Sequence, residues 1–401
     1  MKNTSETPTK VSWIQSSLWA VAHAINDGYP TLYLPLLPIL MLRWHFSVGQ
    51  AGLLAGLLAL TTQALQPLLG AWADRRGGPW FIVGGLIIGS VGNALGLAWA
   101  PTYTVFAIAL MLGGLGNAAF HPHMAALVSR GQTKNRGRSM SGWMVSGMIG
   151  HSLAPLAVVA LWHGWGSWGV ASLALPGLLA AGALYFSART IVRPPSLRSR
   201  PPRVGWGDVW HRGRGFGALV VLRNFGAASL LTLLPLVWHQ RGGSPTQTGA
   251  VLAVVYAAGM IGNLVGGSIS DAWGVRPVLV GSLIGASISA VVGGMATTGT
   301  GWAFWLAVAT WGFTVNGAGA VMLVYGQSLF PNKLGLASGL TMGLGNTVGA
   351  FGAWVVGTVA QWHGLSVAID VAAGCLALGV FPTLWLPVQN PRTTPLGSKN
   401  S

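Results

Sequence analysis

Gly70-Ala71-Trp72-Ala73-Asp74-Arg75-Arg76-Gly77 closes one long apolar run of the chain, and Gly267-Ser268-Ile269-Ser270-Asp271-Ala272-Trp273-Gly274 closes another, 197 residues later. Glycine, aspartate and glycine keep their places in both copies. The repeat extends further: Ser47-x-x-Gln50-x-Gly52 returns as Ser244-x-x-Gln247-x-Gly249, again at an offset of 197. Leu34-Pro35-Leu36 returns as Leu234-Pro235-Leu236, and Trp162-His163-Gly164 as Trp362-His363-Gly364, both at an offset of 200. Four matches at nearly one spacing mark a duplication. They fall at corresponding ends of apolar runs, so the two halves have the same topology.

The solvent of this duplicated body follows from its charges. The 401 residues include 22 Lys or Arg and 6 Asp or Glu, 7% charged against 52% hydrophobic. Soluble domains carry roughly a quarter of their residues as charges, so most of this surface must face lipid. A membrane helix needs about 20 mainly apolar residues to cross about 30 Å of hydrocarbon. Twelve such runs can be marked, at 15–41, 48–73, 79–100, 102–128, 140–162, 165–188, 216–240, 247–270, 277–298, 301–329, 336–361 and 365–388. The chain therefore reads as an all-α membrane protein of twelve transmembrane helices in two parallel-repeat six-helix bundles. The bundles are expected at 1–188 and 216–401, joined at 189–215 by a basic linker rich in proline. With a cytoplasmic N-terminus, 19 of the 22 basic residues fall on the inner side, the bias of the positive-inside rule. Only Arg43 and Arg241 lie outside, and Arg223 lies within a span. Both termini are accordingly expected in the cytoplasm, with the chain multi-pass in the cell inner (plasma) membrane. The first run is too long and lacks the small-residue exit of a cleaved signal peptide. The net charge of +16 thus describes topology, and the basic linker suits anionic headgroups rather than nucleic acid. The single cysteine, Cys375, permits neither a disulfide nor a cysteine metal site.

Ser-x-x-Gln at Ser47 and Ser244 has the form of a capping box for the second and eighth spans. Asp74 and Asp271 end those spans, with Gly77 and Gly274 three residues on. An acid there can bond a helix N-terminus or a basic residue across the half-interface and let go when the halves rock. Asp74, Arg75, Gly77, Asp271 and Gly274 are therefore gating candidates.

The stretch from Gly70 to Gly77 resembles the loop signature between the second and third helices of the major facilitator superfamily. His23-x-x-Asn26-Asp27, Phe120-His121-Pro122 and the run from Gly142 to Pro155 are similar to the fosmidomycin resistance branch of that superfamily. The resemblance implies the twelve-helix major facilitator fold and transport by alternating access. Gly150-x-x-x-Ala154-Pro155 resembles the antiporter signature of drug exporters, which packs the fourth span on the fifth, with Ala154 in place of a glycine. The branch carries an acid after His-Pro where this chain has His123, so no carboxylate proton site is implied at that position.

Charges at bilayer depth are costly and mark function. Glu6 and Asp208 lie in tail and linker, Asp74 and Asp271 at loops, so Asp27 and Asp370 are the acids inside spans. Asp370 starts the twelfth span and reads as a snorkelling structural acid. Asp27 sits mid-span, four residues and hence one turn after His23, and the pair is the proton-coupling candidate; a static helix-packing bond is the alternative. Arg223-Asn224 aligns with Ile25-Asn26 under the repeat. Arg223 can pair with Asp27, grip an anionic group in bidentate fashion, or merely reach the interface. With Asn26, Asn224, His121, His123 and His151 it forms the substrate-binding set. His121-x-His123 on one helix points the two rings about 200° apart, and no acid is expected beside them, so no metal site is expected. His163 and His363, beside Trp162 and Trp362, read as interfacial. Asn93, Asn117, Asn263, Asn316, Asn346, Gln63 and Gln66 can line a cavity or bond helix to helix.

These residues point to a proton-coupled secondary transporter. An antiporter exporting a small anionic or amphiphilic compound is expected. Import of an organic anion by proton symport is the alternative, and a non-transporting receptor or scaffold the third reading. The expected partners are a small-molecule substrate, protons and the bilayer, with the protein a monomer and no nucleic acid bound. No cofactor is expected, and the absence of a phosphate-cradling Gly-rich Lys loop argues against direct drive by ATP and against an enzyme.

Overall fold

The computed structural model describes residues 12–46, 48–76, 79–130, 136–188, 206–242, 248–295, 301–331 and 333–386. Those residues are helical almost throughout, with no strand among them. Backbone polar groups have no water to bond in hydrocarbon, and a helix satisfies them within itself.

Eight helical stretches are long and apolar enough by length and composition to cross a bilayer: Trp80–Trp99, Tyr103–Ser129, Gly137–Ser187, Gly213–Trp238, Ala250–Trp273, Val275–Gly294, Trp302–Leu329 and Leu365–Leu384. One of them holds two passes. At 51 residues, Gly137–Ser187 is far longer than a bilayer crossing needs, and it bends at Gly166, where φ is 57° and ψ is −137°. The three remaining passes are interrupted helices. The first consists of Trp13–Gly28, a 3-10 turn Tyr29–Thr31 and Leu37–Trp44, broken where Pro30 and Pro35 remove backbone donors. The second runs as Val48–Ala59, a π segment Leu60–Ala64 and Gln66–Arg76; the eleventh as Leu334–Gly339, a π segment Leu340–Leu344 and Gly345–His363. Together these give the twelve crossings of the fold expected from the sequence.

Several local expectations shift. The long helix Trp206–Gln240 begins ten residues before the apolar run, inside the segment read as linker, so the seventh span has a helical polar extension. The rest of that linker, 189–205, lies outside the described residues, as do Ser47, Gly77, Ser244 and Gln247. The capping box that can be seen is at the start of the chain's first helix instead. Ser12 Oγ accepts from the Gln15 backbone N–H at 3.2 Å, and Gln15 Oε1 accepts from Ser12 N–H at 2.9 Å. The same Ser-x-x-Gln spacing was present there, at the edge of a polar tail. The repeated Trp-His-Gly also ends differently in its two copies: Gly364 takes φ 87° at the turn, whereas in the first half the turn falls at Gly166, two residues beyond Gly164. Gly274 takes φ 91° directly after the helix ending at Trp273, a backbone state favouring glycine.

The chain divides into two compact units. The first comprises 1–139, 146–201 and 334–336, the second 140–145, 202–333 and 337–401. They follow the expected halves except at two short segments. In the first unit, Asp74 accepts hydrogen bonds from the backbone N–H groups of Gly335 at 3.0 Å and Leu336 at 2.8 Å. Gly70, one turn before Asp74, and Gly335 have no Cβ, and one at either would overlap the other's carbonyl. In the second unit Ser141 Oγ donates to Asn263 O at 2.7 Å.

Within the first unit, a Cβ at Gly150 would overlap the Ala24 carbonyl, and one at Gly28 would press on the Ala154 Cβ. Gly150-x-x-x-Ala154 therefore packs the fifth span against the first, correcting the fourth-to-fifth assignment taken from the resemblance. Gly150→Leu is expected to destabilise the purified protein by about 1–3 kcal/mol through overpacking. Gly182→Leu, at an exposed site with open space around the Cβ, should leave the melting temperature unchanged in a thermal-shift comparison.

Candidate functional site

Asp27 lies in the last turn of Trp13–Gly28 and is 7% exposed. A buried carboxylate without compensation costs several kcal/mol, so its partners decide whether the helix can hold it there. His23, one turn earlier on the same face, puts Nε2 3.1 Å from Asp27 Oδ2. The fourth span, helix Tyr103–Arg130, brings His121 Nε2 to 2.9 Å from Oδ1. The fifth span brings His151 Nε2 to 3.7 Å from Oδ2, with half of the His151 side chain exposed. Asn26 Nδ2 donates to Oδ1 at 3.2 Å. One carboxylate thus gathers three imidazoles from three spans.

The packing that allows this is readable in small residues. A Cβ at Gly147 would collide with Asp27 Oδ2 and the His23 ring, so its absence makes room for the pair. Gly150, on the adjoining turn, allows the close backbone approach to Ala24. Asn117 ties the fourth span to the first by donating Nδ2–H to Asn26 O at 3.3 Å. Phe120 stacks with the His23 ring at 6.3 Å between centroids.

The hydrogen bonds fix a proton. His121 Nδ1 lies 3.0 Å from the Asn117 backbone carbonyl, a group that only accepts, so Nδ1 carries a proton. In a neutral imidazole Nε2 would then present a lone pair to Asp27 Oδ1 at 2.9 Å. Two acceptors do not meet at that distance, so a second proton lies between them, as imidazolium and carboxylate or as imidazole and carboxylic acid. His23 Nδ1 faces Ser146 Oγ at 3.3 Å. A hydroxyl both donates and accepts, so His23 Nδ1 can take either role there, while Nε2, 3.1 Å from Asp27 Oδ2, faces an acceptor as His121 Nε2 does.

The other anticipated residues are distributed as follows. The His123 ring packs 5.0 Å from that of Phe81. In the second unit Arg223 Nη1 donates to Asn224 Oδ1 at 3.0 Å and Nη2 to Val315 O at 2.6 Å. Both acceptors are neutral, and Nε has no partner among the described residues. Asn224 is itself held by Nδ2 to Val220 O. Arg75 is exposed beside Asp74, Asp271 is half-buried near the end of Thr248–Trp273, and Asp370, His163 and His363 are exposed. Asn93 and Asn316 bond carbonyls four residues back in their own helices, the bland role of polar amides in spans.

One expectation is overturned. An acid does stand beside His121, supplied from 94 positions away by Asp27, because helix packing rather than sequence adjacency sets the neighbours. Sequence reasoning missed Ser146, Gly147 and the Asn117 carbonyl. The signal for Gly147 was its place one turn before His151 on a face of small residues.

The Major Facilitator Superfamily pattern matches residues 19–349 and, in a second match, 216–401. The fosmidomycin resistance protein of Escherichia coli (strain K12) is 26% identical over 378 residues, covering 92% of this chain and 91% of that protein. The uncharacterised transporter YfnC of Bacillus subtilis (strain 168) is 27% identical over 377 residues, covering 91% of this chain and 90% of that protein. The fold is similar to that of the human organic anion transporter MFSD10, with a TM-score of 0.76 at 17% identity over 92% of this chain and 98% of the other. The family pattern, the full-length relatives and the twelve-crossing helical architecture agree: the chain belongs to the Major Facilitator Superfamily and is a multi-pass membrane transporter rather than an enzyme.

Proposed function

We propose that the chain is a proton-coupled antiporter of the inner membrane, acting as a monomer with both termini cytoplasmic, that exports a small anionic or amphiphilic compound. The observation that carries this reading is the 2.9 Å approach of His121 Nε2 to Asp27 Oδ1 while Nδ1 faces the Asn117 carbonyl. Asp27 takes a proton from the outside, and the imidazoles of His121, His23 and His151 pass it to the cytoplasm as substrate arrives from there. Arg223, hydrogen-bonded only to neutral oxygens and with Nε unpartnered among the described residues, suits an anionic substrate better than a resident counter-ion. Asn224 orients its guanidinium and Asn26 orients the carboxylate. The relative's name, a resistance protein for fosmidomycin, supports export and supplies a probe. The Asp74 carboxylate on the N–H groups of Gly335 and Leu336 is a charge placed at a helix start, and on this reading it is the gating bond that is made and released in each cycle.

In proteoliposomes loaded with fosmidomycin, flux should follow an imposed pH gradient and reverse with it. Efflux should accelerate when the trans side is acid. Proton symport predicts acceleration by acid on the substrate's own side, and a receptor predicts no saturable flux. Asp27→Asn should lose gradient-driven transport while the purified protein keeps its size-exclusion profile; full export by that variant would remove Asp27 from the mechanism.

Arg223→Gln should raise KM by about 10–100-fold, the loss of a charge-assisted contact of about 1.5–3 kcal/mol, and Arg223→Lys should recover only part of it. Equal KM in all three forms would take Arg223 out of the binding site. Asp74→Asn should change turnover several-fold with little effect on KM, since a charge at a helix start is worth about 0.3–2 kcal/mol.

A further inference from the structure

The cluster around Asp27 also has the composition and spacing of a transition-metal site. His23 Nε2, His121 Nε2 and a carboxylate oxygen of Asp27 lie within 4.8 Å of one another, and all three residues are buried. Ligands around a tetrahedral zinc ion bound at about 2.0–2.2 Å stand about 3.3 Å apart, and the contacts to Asp27 span 2.9, 3.1 and 3.7 Å. His151 Nε2 lies 3.7 Å from Asp27 Oδ2 at the edge of this group of three, with its side chain half exposed.

The surroundings of the rings fit as well. A metal-binding histidine donates its other ring N–H to a carbonyl or similar acceptor, which leaves a lone pair for the ion. His121 does so toward Asn117 O, and His23 Nδ1 has Ser146 Oγ. With Nδ1 of His121 protonated, the narrow gap between Nε2 and Oδ1 needs a positive charge, and a divalent cation meets that need as a proton does.

We propose that His23, Asp27 and His121 bind a divalent first-row transition-metal ion of the Zn2+ class, which displaces the shared proton and arrests transport. Two imidazoles and one carboxylate suit Zn2+, Co2+ or Ni2+; Mg2+ and Ca2+ prefer all-oxygen sets. Binding frees the proton from between His121 and Asp27, so the ion is held more tightly as pH rises, by about tenfold per unit for one proton displaced. The inhibitory consequence rests on the proton-coupling reading; the binding itself does not.

The test is isothermal titration of the full chain in detergent with ZnCl2, in buffers of different ionisation enthalpy and at two pH values. The expected result is one site, proton release on binding, no competition from Mg2+, and affinity lost by more than about tenfold in Asp27→Asn and in His121→Gln. His163→Gln, at an exposed helix end, should bind as the parent does. His121→Gln keeps a neutral side chain of similar reach, and a monodisperse size-exclusion peak shows that it is folded. Zinc binding unchanged in both cluster variants, or no binding by the parent protein, overturns the metal site. If Asp27→Asn in that case still abolishes pH-driven flux, the proton reading stands alone. If zinc binds through the cluster while Asp27→Asn transports normally, the metal site stands and the proton reading falls.

Discussion

A carboxylate inside an apolar helix bundle sets the terms for the rest of the first unit. Asp27 tolerates burial because His23, His121, His151 and Asn26 converge on its two oxygens. That convergence needs three spans at close quarters. The glycines at 147 and 150 admit the fifth span, and Asn117 ties the fourth to the first. The prolines inside the partner helices, Pro122 and Pro155, each directly follow or lie one turn beyond a histidine of the cluster. Each removes one helix hydrogen bond, so the cluster sits where these helices are easiest to bend.

The same economy of charge runs through the second unit. Arg223 is held by a neighbouring amide and a carbonyl, a fixed guanidinium without a described anion. One unit thus holds a buried acid ringed by imidazoles and the other a guanidinium bonded to neutral oxygens.

Much of the fold was legible in the sequence because bilayer burial leaves strong signals. Twelve apolar runs, the offset of 197 residues and the bias of basic residues need no tertiary knowledge. Interruptions were harder to read. The π segments at Leu60–Ala64 and Leu340–Leu344 carry no proline, so local composition does not announce them. The turn at Gly166 rather than Gly164 depends on which of several glycines takes a positive φ. For the site, Asp27 and His23 were visible as an i, i+4 pair on one helix. The nearness of His121 to Asp27 was not, since it depends on how two helices rotate about their axes, and reading His121 by its sequence neighbours alone hid the carboxylate that meets it.

On the proposed mechanism a mobile proton lies between His121 Nε2 and Asp27, with His121 Nδ1 protonated toward the Asn117 carbonyl. Nitrogen-15 NMR of histidine-labelled protein, with His121 assigned through His121→Gln, observes both ring nitrogens directly. The account predicts a protonated Nδ1 across the pH range and a proton shared at Nε2 that disappears in Asp27→Asn at the same pH. A His121 ring with an unprotonated Nδ1, or an Nε2 signal unaffected by Asp27→Asn, would contradict it.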